Sequence, residues 1–517
     1  MTEVNVGRDH KGDLELGCDV VVVGSGAGGA VVACELAEAG QRVVVLEEGP
    51  HVPLSRYRRM RPSQHMRSVW RDGAMTLAAG VGNSPTVNVT MGRCIGGSSM
   101  LTGGVCFRTP DYVLQRWVDD FGLKELSSKS LEPLFEQVES DVHVEEVPVC
   151  MRSRSTELFG IGSKRRGVEL QPLRRNTKGC KGCGRCNFGC PEGAKQSVDI
   201  SYLPRALRAG AQIWSDCLVK RVLHKYGKAV GVEGELLPSK RFSRGRRVTI
   251  HAKRVVLACG SYHSPLLLLK SGLKSAELGR NMTLHPAFRM FARFDEPIRG
   301  WQGALQSAYT DAYKSEGITL VSLFVPAGVL VATMQGFGPK LLKRAKDVPN
   351  LAVFGGMIHD EGGGTLRAGP GREPVVTYRM SARDKATIPT LITHLAETFF
   401  AAGAKEVFPP IVGQAPVGAD DFRRIDFGRI PARQIECSSQ HPLGSCRMGV
   451  RASRSVVDPN GECWQLRNLF VADGSVVPTS LGVNPQVSIM TMAMRICLLY
   501  TSPSPRDATL SRMPSSA

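Results

Sequence analysis

Four cysteines, Cys180, Cys183, Cys186 and Cys190, lie in the run CKGCGRCNFGCPEGAKQS with the spacing C-x2-C-x2-C-x3-C-P. Thiolates so spaced hold iron–sulfur clusters in bacterial ferredoxins, where the fourth cysteine serves a second cluster. This chain has no second run of that type, so three chemistries stay open: an iron–sulfur cluster, zinc, or thiols and disulfides with a structural role. A second candidate is His441, in SQHPLGSCRMG. With an ordinary pKa of about 6.5, a histidine is neutral and able to accept a proton at pH 7. The third is Gly24-Ser25-Gly26-Ala27-Gly28-Gly29, which fits G-x-G-x-x-G.

These residues need elements to position them. Cys18 to Val23 is a short β-branched run of the kind that forms a buried parallel strand, and it leads straight into the glycines. AVVACELAEAG follows at helical spacing and stops at Gly40; the next strand, Arg42 to Leu46, ends at Glu47. Strand, turn, helix, strand and acid in that order form a dinucleotide fingerprint. Gly24 permits the tight turn, Gly26 lets the backbone approach a pyrophosphate, Gly29 allows close helix packing, and the helix N-terminus attracts phosphate. Glu47 is placed to accept hydrogen bonds from a ribose. The fingerprint alone does not separate FAD from NAD.

Four more segments carry a resemblance to the glucose-methanol-choline (GMC) oxidoreductases. They are Gly92-Arg93-Cys94-Ile95-Gly96-Gly97-Ser98-Ser99; Ala258-Cys259-Gly260-Ser261-Tyr262-His263-Ser264-Pro265; the His441 segment; and Leu469-Phe470-Val471-Ala472-Asp473-Gly474 running on to Asn484-Pro485-Gln486. The resemblance implies an α/β fold: a Rossmann-type FAD-binding domain with an inserted α+β substrate domain built on an antiparallel sheet. It implies FAD as cofactor, with Gly92, Arg93, Gly96, Gly97, Ser98, Asp473, Gly474 and Pro485 on the cofactor side. It also implies oxidation of an alcohol CH–OH group, with His441 as the proton-accepting base, Asn484 orienting the hydroxyl, hydride passing to flavin N5, and dioxygen or another acceptor taking the electrons. Asn484-Pro485 reads as a helix start, whose positive end would face the flavin. Where the family commonly has Asn, this chain has Thr102.

The cysteine run is similar to one in long-chain-alcohol oxidases and a branch of cholesterol oxidases, which implies an apolar alcohol. The same scaffold also supports lyases and decarboxylases, and an FAD/iron–sulfur electron carrier is a further alternative. His285-Pro286 has no motif around it and reads as structural. GTLRAG and PVVTYRM read as paired strands, with KATIPTLITHLAETFFAAGA as the helix covering them.

The expected division is 1–110 FAD-binding domain, 111–200 cap region with the cysteines, 201–290 FAD-binding domain, 291–430 substrate domain and 431–496 FAD-binding domain. Residues 497–517 change character abruptly and resemble a translated sequencing adapter, so they are set aside from fold reasoning. The net charge of +19 is spread along the chain without a nucleic-acid-binding signature, so no nucleic-acid partner is expected. With no apolar leader segment, fifteen cysteines suit a reducing compartment, and cytoplasm is the expected location. Ile318 to Met334 is apolar but broken by Pro326 and Gly328, and reads as core or pocket wall, with peripheral membrane contact as the alternative.

Overall fold

The structure, a computed structural model, describes residues 3–501 apart from 240–244, 333, 335 and 337. Two sheets organise it. In the first, strands Asn5–Val6, Gln212–Ser215, Val43–Leu46, Leu14–Val23 and Arg246–Leu257 run parallel in that spatial order. The long strand Arg246–Leu257 has two neighbours on its other side. Its first half pairs antiparallel with Lys228–Leu236, and its last three residues pair parallel with Leu469–Val471. Val20 to Val22 are fully buried because helices cover the sheet, and a strand shielded on both faces selects a continuous β-branched run rather than an alternating one. Helix Ala27–Glu38 packs against both Tyr202–Arg208 and Gln486–Thr501.

The second sheet is largely antiparallel. Its centre is Ala287–Arg293 paired with Leu351–Ile358, and Ile318–Ser322 lies beside the latter. Gly364–Ala368 and Pro374–Tyr378 form the hairpin expected at those positions. Helix Ala382–Ala401, expected over that hairpin, packs instead on helix Arg154–Arg165 and on the central strands Ala287–Arg293 and Leu351–Ile358. Both sheets recruit strands from distant chain segments. Leu77–Gly80, Val87–Val89, Gln171–Pro172 and Cys437–Ser439 all join the second sheet, so the interleaving is finer than boundaries at 110, 200, 290 and 430.

The apolar stretch Ile318 to Met334 divides between a buried strand and the short helix Ala327–Ala332. Phe324, Leu330 and Met334 join a side cluster with Phe291, Val348 and Leu351. Its strand is core, the helical part is half-exposed, and none of its described residues lines the main cavity. Among the described residues no helix is long and apolar enough to cross a membrane. Helix Gln486–Thr501 continues past the expected break to include the buried Cys497, while residues 502–517 lie outside the described residues.

Candidate active site

A cavity of about 560 Å³ runs along the C-terminal edge of the parallel sheet, the position where open α/β sheets bind ligands. Gly24, Gly26, Glu47, Gly92, Gly97, Ser98, His441, Asp473, Gly474 and Pro485 all line it. Gly24, Gly28, Gly92 and Gly97 are sterically required, whereas a Cβ on Gly26 would meet nothing nearer than 4.0 Å. Gly97 sits at φ +53°, and a Cβ there would lie 2.8 Å from the Gly26 Cα; a Cβ on Gly28 would lie 1.8 Å from the Ala472 carbonyl oxygen. Bare backbone on both sides of a long cavity, with an acid at one end, fits a pyrophosphate-linked dinucleotide such as FAD.

Three expected cofactor residues stand behind the wall. Gly29 packs helix on strand, its missing Cβ 2.0 Å from the Gly24 carbonyl oxygen, the packing role its position implies. Gly96 donates its N–H to Ser25 Oγ at 3.1 Å, and Arg93 turns toward Glu48. Glu47 and Asp473 reach the cavity, but their carboxylates also brace its turns. Glu47 accepts from the Ser25 N–H and hydroxyl and from the Gly49 N–H; Asp473 accepts from the Gly260 and Ser475 N–H groups and the Ser264 hydroxyl. Burial pushes both acids up, and those hydrogen bonds pull them back. Thr102 donates to the Ser99 carbonyl and lies 3.2 Å from Gln486 Oε1, so its hydroxyl links the flavin-side loop to the C-terminal helix.

His441 is carried on a loop fixed from three directions. Its N–H donates to Ser439 Oγ, the Leu443 N–H donates to the Thr283 carbonyl, and the Gly444 N–H donates to the Gly474 carbonyl. Its Nε2 lies 3.1 Å from the Asn484 amide, which joins the two residues expected to act together. Asn484 is not itself on the cavity wall, although Pro485 is. The helix starts as expected at this point: the Pro485 carbonyl accepts its first hydrogen bond, from Ile489. Burial lowers His441 to a pKa of about 4, so the ring is neutral near pH 7.

His285, expected to be merely structural, belongs to this constellation. It is fully buried, its Nδ1 lies 3.3 Å from His441 Nδ1, and its Nε2 accepts the N–H groups of Leu481 and Gly482. His359 completes the ring of imidazoles through Thr319, whose hydroxyl donates to the Gly482 carbonyl and lies 2.8 Å from His359 Nε2. The only sequence signal for His285 was the His-Pro dipeptide it shares with His441.

A hairpin tip covers one side of the cavity. Arg71 is buried between Glu48 at 2.5 Å and Glu373 at 2.8 Å, Arg372 pairs with Glu48, and His263 Nε2 lies 2.8 Å from Glu373. Burial alone would raise the two acids. For Glu48 the charges of Arg71 and Arg372 outweigh it, for Glu373 the bond to His263 and the charge of Arg71, and both sit at about 2.

Cys180, Cys183, Cys186 and Cys190 line one small separate cavity with Lys195. No disulfide joins any of the fifteen cysteines in the structure. No three of these sulfurs come within 4.8 Å of one another in the structure. Two buried cations face the pocket. Arg175 donates to Cys186 Sγ at 2.9 Å and to the Gly103 carbonyl; Lys195 donates to the carbonyls of Met100, Thr102 and Cys186. Burial would raise the Cys186 thiol, but Arg175 and Lys195 outweigh it and hold the thiol below its ordinary value.

Comparison with known proteins decides the family. Models of the N- and C-terminal parts of GMC oxidoreductases match residues 18–287 and 364–493. The chain belongs to the GMC oxidoreductase family. An uncharacterized GMC-type oxidoreductase of Mycobacterium tuberculosis is 36% identical over 480 residues, 92% of this chain and 75% of that one. A long-chain-alcohol oxidase of Arabidopsis thaliana is 28% identical over 531 residues, 95% of this chain and 68% of that one. Among solved structures, pyridoxine 4-oxidase from Mesorbium loti superposes with a TM-score of 0.70 at 18% identity, covering 93% of this chain and 99% of that one. Formate oxidase from Aspergillus oryzae gives 0.71 at 16%, covering 95% and 99%. This GMC protein is an FAD-dependent oxidoreductase.

Proposed function

We propose that this GMC oxidoreductase oxidises the CH–OH group of an apolar alcohol, of long-chain or sterol type. The observation that carries the reading is the His441–Asn484 pair, with His441 on the wall of the same cavity as the glycine turn. FAD, when bound, supplies the hydride acceptor, with dioxygen or a separate acceptor completing the cycle. The chain's own work is to hold the substrate oxygen at His441 and orient it with Asn484. The apolar substrate class rests on the long-chain-alcohol oxidase relatives. A series of primary alcohols of increasing length tests it: burial of about 0.8 kcal/mol per methylene predicts KM falling several-fold per added carbon until the pocket is full. A flat series, or preference for short polar alcohols, would remove the apolar assignment. A lyase or decarboxylase would instead leave the flavin oxidised after anaerobic addition of substrate.

A second reading concerns the cysteine pocket, favoured by a fully buried guanidinium, Arg175, that donates to the Cys186 thiol, with buried Lys195 donating to the Cys186 carbonyl beside it. A four-thiolate iron–sulfur cluster carries net negative charge, which Arg175 and Lys195 would balance, and both cations also hold the Met100–Gly103 backbone beside the flavin cavity. Anaerobically purified protein should contain about four irons and lose them in Cys186→Ser while retaining FAD. Iron-free wild type would leave the pocket as structural thiols.

A further inference from the structure

The hydrogen bonds around His285 decide which nitrogen of His441 carries its proton. His285 Nε2 faces two backbone N–H groups, Leu481 at 2.9 Å and Gly482 at 3.3 Å, and a backbone N–H can only donate. Neutral His285 therefore holds its own hydrogen on Nδ1. That hydrogen points at His441 Nδ1, 3.3 Å away, which must accept it. The proton of neutral His441 is left on Nε2, the nitrogen beside Asn484. The opposite arrangement would bring an Nε2–H of His285 against both backbone donors in a site with no exposed surface, leaving buried N–H groups without acceptors. The Asn484 amide adapts more cheaply. Its O and N exchange by a half-turn, and Oδ1, which has no partner as placed, then accepts the His441 N–H.

We propose that His285 is a positioning residue that locks neutral His441 in its Nε2–H form, so that His441 meets the substrate oxygen as a hydrogen-bond donor. This reverses the proton-accepting role expected from the sequence. It rests on the alcohol-oxidation reading for its catalytic meaning, but the tautomer itself does not. A substrate hydroxyl that takes the place of the Asn484 amide at His441 Nε2 accepts the Nε2–H through its oxygen. As its O–H bond breaks, the proton goes to water and the negative charge on oxygen is held by that fixed donor, the arrangement that stabilises oxyanions elsewhere.

The test uses FAD-loaded protein labelled with 15N in histidine, reading two-bond proton–nitrogen correlations, with the His441 signals assigned by their loss in His441→Gln. The expected spectrum has a protonated Nε2 and an acceptor-type Nδ1 for His441, unchanged in His285→Asn, which keeps an N–H toward it, and mixed in His285→Phe. A wild-type His441 protonated on Nδ1 would overturn the proposal, whether or not any alcohol is oxidised. The rate of anaerobic flavin reduction supplies the second readout. His441→Gln, a donor with no basicity, should stay within about tenfold of wild type while His441→Ala falls ~100-fold or more; equal loss in both would return His441 to the role of base. Wild type that no alcohol reduces would sink the functional reading and leave the tautomer measurement standing.

Discussion

His441 Nε2 and the Asn484 amide stand 3.1 Å apart although 43 residues separate them in the chain. The pair is assembled by two loops held from outside: the His441 loop by Thr283 and Gly474, and the Asn484 loop by His285 and Thr319. If that separation defines the substrate oxygen's seat, Asn484→Ala should slow flavin reduction by roughly 10²-fold, the cost of removing one oriented polar partner, with FAD still bound. Stopped-flow reduction of the purified variant measures it, and a wild-type rate would take Asn484 out of the site.

Gly97 packs directly on Gly26 with a left-handed backbone, so Gly97→Ala both strains φ and puts a methyl 2.8 Å from the Gly26 Cα. The methyl would push apart two glycine turns that line the cavity. The expected result is a folded protein purified largely without yellow colour, checked by the ratio of flavin to protein absorbance. Full FAD occupancy would mean the cofactor lies elsewhere.

Arg71 lies between Glu48 and Glu373 with its side chain 8% exposed. Arg71→Met leaves two carboxylates facing each other without the shared cation, and breaking a buried pair costs about 3 kcal/mol. Denaturant midpoints should fall accordingly, and because the hairpin tip lines the cavity, FAD should dissociate faster. A variant as stable as wild type would show the network to be solvent-screened.

Acid sensitivity follows from the histidine ring. Burial lowers His359 and His441 to about 4 and His285 well below its ordinary value, so each takes up a proton on unfolding once the pH drops below about 6.5. Their stabilising contribution is present above that pH and is lost as the pH falls toward 4. Asp360, raised to about 6 by burial, works the other way: its contribution is full below about 3.8 and is lost as the pH rises to 6. Between pH 6 and 4.5 the unfolded chain binds a net excess of two protons from these four groups, a slope of up to about 2.7 kcal/mol per pH unit. Urea midpoints should drop across that window and drop less in His359→Gln; a flat profile would show that the histidines titrate normally.

The sequence makes the FAD frame legible because its constraints are local. A glycine that must lie against another strand's carbonyl, or an acid closing a strand, is written in five or six consecutive residues, as at Gly24–Gly29 and Glu47. His441 and Asn484 are legible only through larger family blocks. His285 is not, because its partner is 156 residues away and its meaning lies in the direction of the Leu481 and Gly482 N–H groups. The buried cations Arg175 and Lys195 are hidden for the same reason: nothing in a stretch of chain says that a guanidinium will be enclosed beside a thiol. The Ile318–Met334 run shows the limit of hydropathy, which registers burial but does not distinguish a core strand from a pocket wall.

The most direct test of the account is an anaerobic absorbance titration of the FAD-loaded protein with long-chain primary alcohols and sterols. At least one of them is expected to bleach the flavin band, with colour restored on admitting air or an artificial acceptor. A flavin that stays oxidised with every alcohol, in protein fully loaded with FAD, would contradict alcohol oxidation at the His441–Asn484 site.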